Sequence, residues 1–139
     1  MSETMTGGHI PEATLRRMRD LRLALLRLHK ALLGAERENY ERAHGQATGG
    51  ELLQLVINHE QFAWLRPVSE LIVRMDEILD ADEPASVDEA GAVLAAVAAL
   101  LAPSEAGGGF GQKYFTAIQR SPDVVLAHRE VMRIIPAKL

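Results

Sequence analysis
Apolar side chains recur at helical spacing early in the chain. Leu15, Met18, Leu21, Leu25, Leu28 and Leu32 fall on one face when each residue turns by about 100°. The period predicts one amphipathic helix from Glu12 to His44. Pro11 suits its first turn, because the missing N–H would have no partner there. Glu12 and Asp20 lie toward the start, where the helix dipole favours negative charge. Gly45 provides a stop, since glycine takes a positive φ at little cost. Gly34 is the weak position inside and costs about 1 kcal/mol relative to alanine. At about 1.5 Å per residue such a helix spans roughly 50 Å. That is long for a domain of this size, so part of it is expected to project and pack on another chain.

Polar residues interrupt this apolar face. Arg22, His29, Glu36 and Tyr40 fall on one line, flanked by Leu15, Met18, Leu25, Leu26, Leu32 and Leu33. Polar groups turned into a core must find partners or cost a few kcal/mol each. Two readings follow. One is a structural network or seam in which each group is satisfied, which is the commoner fate of polar residues in a core. The other is a site inside the bundle, with Arg22, His29, Glu36 and Tyr40 around a small ligand, or with His29, Glu36 and His59 around a metal ion. His128 is a further candidate metal ligand from another helix.

The remaining elements are shorter. Gly50 to Ile57 reads as a helix with Leu52, Leu55 and Val56 on one side. Asn58 then resembles a new cap, with Gln61 three residues on as its capping-box partner. From His59 to Asp80 the pattern predicts a second long helix, kinked near Ala63 to Pro67, because a proline inside a helix removes one hydrogen bond. Trp64 is expected as a core anchor or interface residue with its N–H bonded, and Arg66 as the partner of Glu70 one turn on. Asp80 to Ala85 reads as a loop. Ser86 and Glu89 form a capping box before Val87 to Ala102. That helix is apolar on nearly all sides, so a central position is expected. Pro103 ends it, and residues 103 to 109 read as a linker. Gly111 to Gln119 is a short helix exposing Lys113 and burying Tyr114, Phe115 and Ile118. Ser121, Pro122 and Asp123 open a last helix that runs to about Ile135, where Pro136 stops it.

No stretch alternates as a strand would. The expected fold is all-α: a bundle of five or six helices built around the long N-terminal helix, with the kinked helix second. Residues 1 to 11 read as a disordered tail and residues 12 to 139 as a single domain.

Composition narrows the function classes. The 139 residues are 47% apolar but only 4% aromatic, so the core is aliphatic. The chain contains no cysteine, which removes disulfides, thiolate catalysis and zinc–thiolate sites and fits a reducing cytoplasm. The opening MSETMTGGH lacks a basic region followed by an apolar run, so no signal peptide is expected. The longest run free of polar side chains before a proline, Ala90 to Ala102, is thirteen residues and too short to span a bilayer. The final Ala137-Lys138-Leu139 is near a peroxisomal address, but three residues match too easily by chance.

The net charge of −4 argues against general nucleic-acid binding. The charge is unevenly spread. Residues 1 to 42 hold eight Lys or Arg against six acids, and residues 43 to 105 hold two against eleven. The basic half of the long helix is therefore expected to face the acidic segment from Asp76 to Glu89, within the chain or between chains.

Catalytic signatures are missing from the sequence. Glu41 and His44 make one Glu-x-x-His pair, but the usual di-metal bundle site needs two, and no His-Glu-x-x-His, Gly-x-Ser-x-Gly or nucleotide fingerprint occurs. Gly107 to Gly111 before a helix does not match a phosphate loop, since Lys113 follows Gln112 rather than glycine. The expected function is a non-enzymatic binding or regulatory module of the cytoplasm, homodimeric through its long helix, with no membrane or nucleic-acid partner. A ligand- or metal-binding bundle is the alternative, with the identity of any cofactor left open.

Overall fold
The computed structural model describes residues 10–81, 86–102 and 109–135. Most of the expected tail and of the loop before Ser86, nearly all of the linker from Pro103, the stop at Pro136 and the C-terminal tripeptide lie outside the described residues. These form seven helices and no strand: α1 Glu12–His44, α2 Gly49–Asn58, α3 Glu60–Ala63, α4 Arg66–Asp80, α5 Val87–Leu100, α6 Phe110–Arg120 and α7 Pro122–Ile134. The all-α bundle around a long first helix is the architecture observed. Among the described residues, no helix is long and apolar enough to cross a membrane.

Helix α1 has the expected bounds. Pro11 is its N-cap, one position earlier than the first turn, and its carbonyl accepts from the amides of Thr14 and Leu15, each at 3.0 Å. Ile10, placed in the tail by sequence, is buried against the core. At the far end Gly45 has φ +86° and donates its N–H to Glu41 O at 2.8 Å. The turn beyond is clamped from within α1. Arg37 Nε donates to Glu41 Oε2 at 3.2 Å, Arg37 Nη2 to the carbonyl of Ala47 at 2.6 Å, and the Ala47 amide to Glu41 Oε2 at 2.8 Å. The Ala47 amide first, with Arg37 reinforcing it, holds the Glu41 carboxyl below its usual range against a smaller opposing effect of burial. Thr48 then opens α2 with a full capping box to Glu51, a signal the sequence reading passed over.

The second long helix is two helices. Its expected kink is a break at Trp64 and Leu65, after which Pro67 sits in the first turn of α4. Proline cannot donate to the carbonyl four residues back. Restarting the helix just before it puts the missing N–H where none is needed. Short-range bonds stitch the turn, Leu65 N to Phe62 O at 3.2 Å and Val68 N to Leu65 O at 3.1 Å. The cap also moves. His59, not Asn58, caps α3, its Nδ1 accepting from the Gln61 amide at 3.0 Å, while Asn58 ends α2 and donates to Gln54. Arg66 donates to the carbonyl of Ile57 at 3.0 Å rather than pairing with Glu70.

The core lies between α1, α4 and α7, which cover adjacent sides of α1, while α5 packs on α4 and α6 on α7. Met18, Leu21, Ala24, Leu25, Leu28 and Leu32 are the buried face of α1. They meet Val68, Leu71, Ile72 and Met75 of α4 and Val124 and Val131 of α7 in one cluster. Helix α5 is not central. Only Ala90, Val93, Leu94 and Val97 of it are buried, and Ala92, Ala95 and Ala99 face out. Its apolar circumference is mostly alanine, whose methyl group carries little area and is exposed at small cost. The Ser86–Glu89 capping box and the Ser121 cap of α7 form as expected, the latter accepting from the Val124 amide at 3.3 Å.

Candidate functional site
The polar line on α1 is neither buried nor open. Arg22, His29, Glu36 and Tyr40 are all half-buried. They run along the flank of the apolar face, where α3 and α4 lie against it, not down its centre. Each has found a partner there. Arg22 Nη1 meets Asp76 Oδ1 of α4 at 2.8 Å, which joins the basic half of α1 to the acidic segment within the chain. His29 Nε2 lies 3.0 Å from Ser69 Oγ. Tyr40 packs its ring against His44, His59 and Phe62, with centroids 4.4, 5.6 and 6.2 Å away. The four therefore do not surround one ligand.

The metal set His29, Glu36 and His59 does not converge either. Among the described residues, no group of three or more His, Asp or Glu is placed to hold a metal ion. His29 is engaged by Ser69, His59 caps α3 and stacks on Tyr40, and Glu36 belongs to a third cluster. His128 is occupied by Tyr114, 2.6 Å from Oη to Nδ1. Burial raises the Tyr114 phenol and lowers His128, so the phenol donates and the neutral ring accepts.

Glu36 is the member of the line that stands apart. Its Oε1 accepts from Trp64 Nε1 at 2.6 Å, and its Oε2 accepts from Gln61 Nε2 and Asn39 Nδ2, each at 3.1 Å. All three donors are neutral, and among the described residues no cation lies within 4 Å of it. A carboxylate offers about four acceptor positions, so one remains. The break between α3 and α4 is what swings the indole of Trp64 onto this carboxylate.

Trp64 and Glu36 lie together on the floor of a cleft of about 710 Å³ between the C-terminal half of α1 and α6. The α1 wall adds Glu38, Asn39 and Arg42, and the α6 wall carries Lys113, Thr116 and Arg120. Arg42 donates to Asn39, which in turn donates to Glu36, so α1 presents an ordered polar row. Behind the floor, Trp64, Phe110, Tyr114 and His128 are in ring contact, with successive centroids 5.4, 5.3 and 5.4 Å apart. Among the described residues the two walls make no ion pair across the opening. The α1 wall thus carries the carboxylates of Glu36 and Glu38 together with the Arg42 guanidinium, the charged groups of the α6 wall are both cations, and a half-buried indole lies below. Its volume is in the range of small-molecule sites. Sequence reading found Glu36 but missed this opposite wall. Lys113 and Arg120 lie two turns apart on one helix, a spacing that could have flagged a shared face.

The two half-buried histidines of the packed seams have a consequence for stability. Burial lowers the pKa of His29 and of His128 below the 6.5 of a free ring. The unfolded chain then binds more protons than the folded one as pH falls below about 6.5. Their contribution is complete above that value and is lost as pH drops through the lowered folded-state values. Urea midpoints should therefore fall between about pH 7 and pH 5.5. In His29→Gln, which keeps a polar group beside Ser69 but cannot titrate, the fall should be shallower.

No family model, curated protein or solved structure matches the chain.

Proposed function
We propose that the protein is a non-enzymatic binding module whose cleft between α1 and α6 takes a small organic zwitterion. The observation that supports this most is Glu36, a carboxylate oriented by three neutral donors at the floor of the cleft and facing the cationic wall of α6. A ligand with an ammonium or other donor group would use the remaining acceptor position of Glu36 and the charge of Glu38. Its acidic group would meet Lys113 and Arg120, and its apolar part would rest on Trp64. Opposed charged walls favour a molecule carrying both signs, since either wall repels a ligand of its own sign. The chain has no cysteine and so needs no disulfide, which is compatible with a reducing compartment such as the cytoplasm.

The test is a panel of free amino acids and short peptides, scored by thermal shift and by native mass spectrometry. At least one zwitterion should raise the melting temperature and form a one-to-one complex. Lys113 and Arg120 are exposed, so Lys113→Ala and Arg120→Ala should fold normally. Each should weaken the complex about tenfold, the scale of one charge-assisted hydrogen bond. Binding that is indifferent to both variants, or a panel in which nothing binds, overturns the reading.

A further inference from the structure
The outward side of α1 carries a second pattern, separate from its core face and from the cleft. Arg16, Arg19, Leu23, Leu26, Lys30, Leu33 and Arg37 alternate three and four residues apart, a spacing that keeps them on one stripe. Leu23 and Leu26 are 48% and 44% exposed, and Lys30 is exposed between Leu26 and Leu33. Helix α4 carries a matching stripe of opposite sign. Glu70, Val73, Glu77 and Asp80 follow the same three-and-four spacing, all are exposed, and Val73 is 52% exposed.

The two stripes lie side by side. Arg22–Asp76 and His29–Ser69 fix α1 and α4 as antiparallel neighbours. In that register Leu26 and Val73 stand level with each other, midway between the two contacts. From Arg16 to Lys30 on α1 and from Glu70 to Asp80 on α4 the stripes are exposed and turned away from the buried residues, so both look out of the same surface. The result is a patch with an apolar middle of Leu23, Leu26 and Val73, a basic margin along α1 and an acidic margin along α4.

We infer that this patch is covered by a second copy of the chain. A two-fold axis running parallel to the helices places α1 of one copy over α4 of the other. Basic margins then meet acidic margins twice, and the apolar middles meet each other. The four helices acquire antiparallel neighbours on every side, as in a four-helix bundle. A uniformly acidic or basic partner would match one margin and be repelled by the other, whereas a second copy matches both.

The experiment uses two full-length variants. In the first, Arg19→Glu and Lys30→Glu reverse the two cations that flank the apolar middle on α1. In the second, Glu70→Lys and Glu77→Lys reverse the two acids that flank it on α4. All four positions are exposed, and circular dichroism should show native helix content in both. Sedimentation equilibrium at about 100 μM, well above a micromolar dissociation constant, should show a dimer for the natural chain. Each variant alone should be monomeric, and an equimolar mixture should form a heterodimer that weakens as salt is raised. A monomeric natural chain at that concentration overturns the inference. So does a dimer that both variants retain, which would place the interface elsewhere, or a mixture that stays monomeric.

Discussion

Replacing Phe62 with alanine is expected to lower the unfolding free energy by about 3–5 kcal/mol. Phe62 is 1% exposed, and it is the one buried residue of α3, which is four residues long. A helix that short has no stability of its own, because the cost of nucleation is never recovered by propagation. Its position depends on this ring, which sits 6.2 Å from Tyr40 and 6.4 Å from His59 between centroids. Trp64 follows two residues later, so loss of Phe62 also loosens the floor of the cleft. Urea titration should show a lower midpoint with an unchanged slope. Leu53→Ala provides the contrast. Leu53 is 59% exposed on α2, and its truncation should change stability by no more than about 0.5 kcal/mol. A Phe62→Ala protein as stable as Leu53→Ala would mean that α3 is not held by its ring.

The second large effect is at Tyr114. The ring is fully buried, stacked on Phe110 with centroids 5.3 Å apart, and its hydroxyl reaches His128 of α7. Tyr114→Ala removes the packing and the bond together and should cost at least about 3 kcal/mol, as for other large aromatics. Tyr114→Phe keeps the ring and leaves His128 Nδ1 without its donor. The cost there should be about 1 kcal/mol, at the low end for an orphaned acceptor, because the half-buried imidazole can still reach water. The ranking separates two roles of one side chain. If phenylalanine were as damaging as alanine, the α6–α7 contact would depend on the hydrogen bond and not on the ring.

The elements that could be read from sequence are those whose signals are local. Helix α1 is an unbroken apolar period closed by Gly45, the one residue type that takes φ +86° without strain. The starts of α5 and α7 are written in Ser86 with Glu89 and in Ser121 with Pro122. The break between α3 and α4 was only half legible. Pro67 announced an irregularity, but the contact the restart makes possible, Trp64 with Glu36, lies 28 residues earlier in the chain, beyond any local rule. Helix α5 was misplaced because a pattern of apolar letters counts alanine like leucine, although alanine buries far less area.

The candidate site divides in the same way. Periodicity found Arg22, His29, Glu36 and Tyr40 on one line, since that needs only the helix repeat. It set them at the middle of the buried face, whereas Leu21, Leu25, Leu28 and Leu32 occupy that middle and the polar line runs along the flank. What answers the line comes from elsewhere in the chain: Asp76 and Ser69 on α4, Gln61 and Trp64 around α3. No local rule connects those positions to α1. The spacing of Lys113 and Arg120 puts both on one face of α6, but nothing in it says that α6 will stand opposite Glu36.

Trp64 is the only tryptophan in the chain, and its indole N–H is bonded to Glu36 at the floor of the cleft. Its indole cross-peak in a proton–nitrogen correlation spectrum is therefore a single reporter of occupancy. Titrating the zwitterion selected from the panel should move that peak saturably, together with the amides of α6 around Lys113 and Thr116. An indole peak that stays fixed while the ligand binds, with shifts confined to other surfaces, would show that the cleft between α1 and α6 is not where the protein binds.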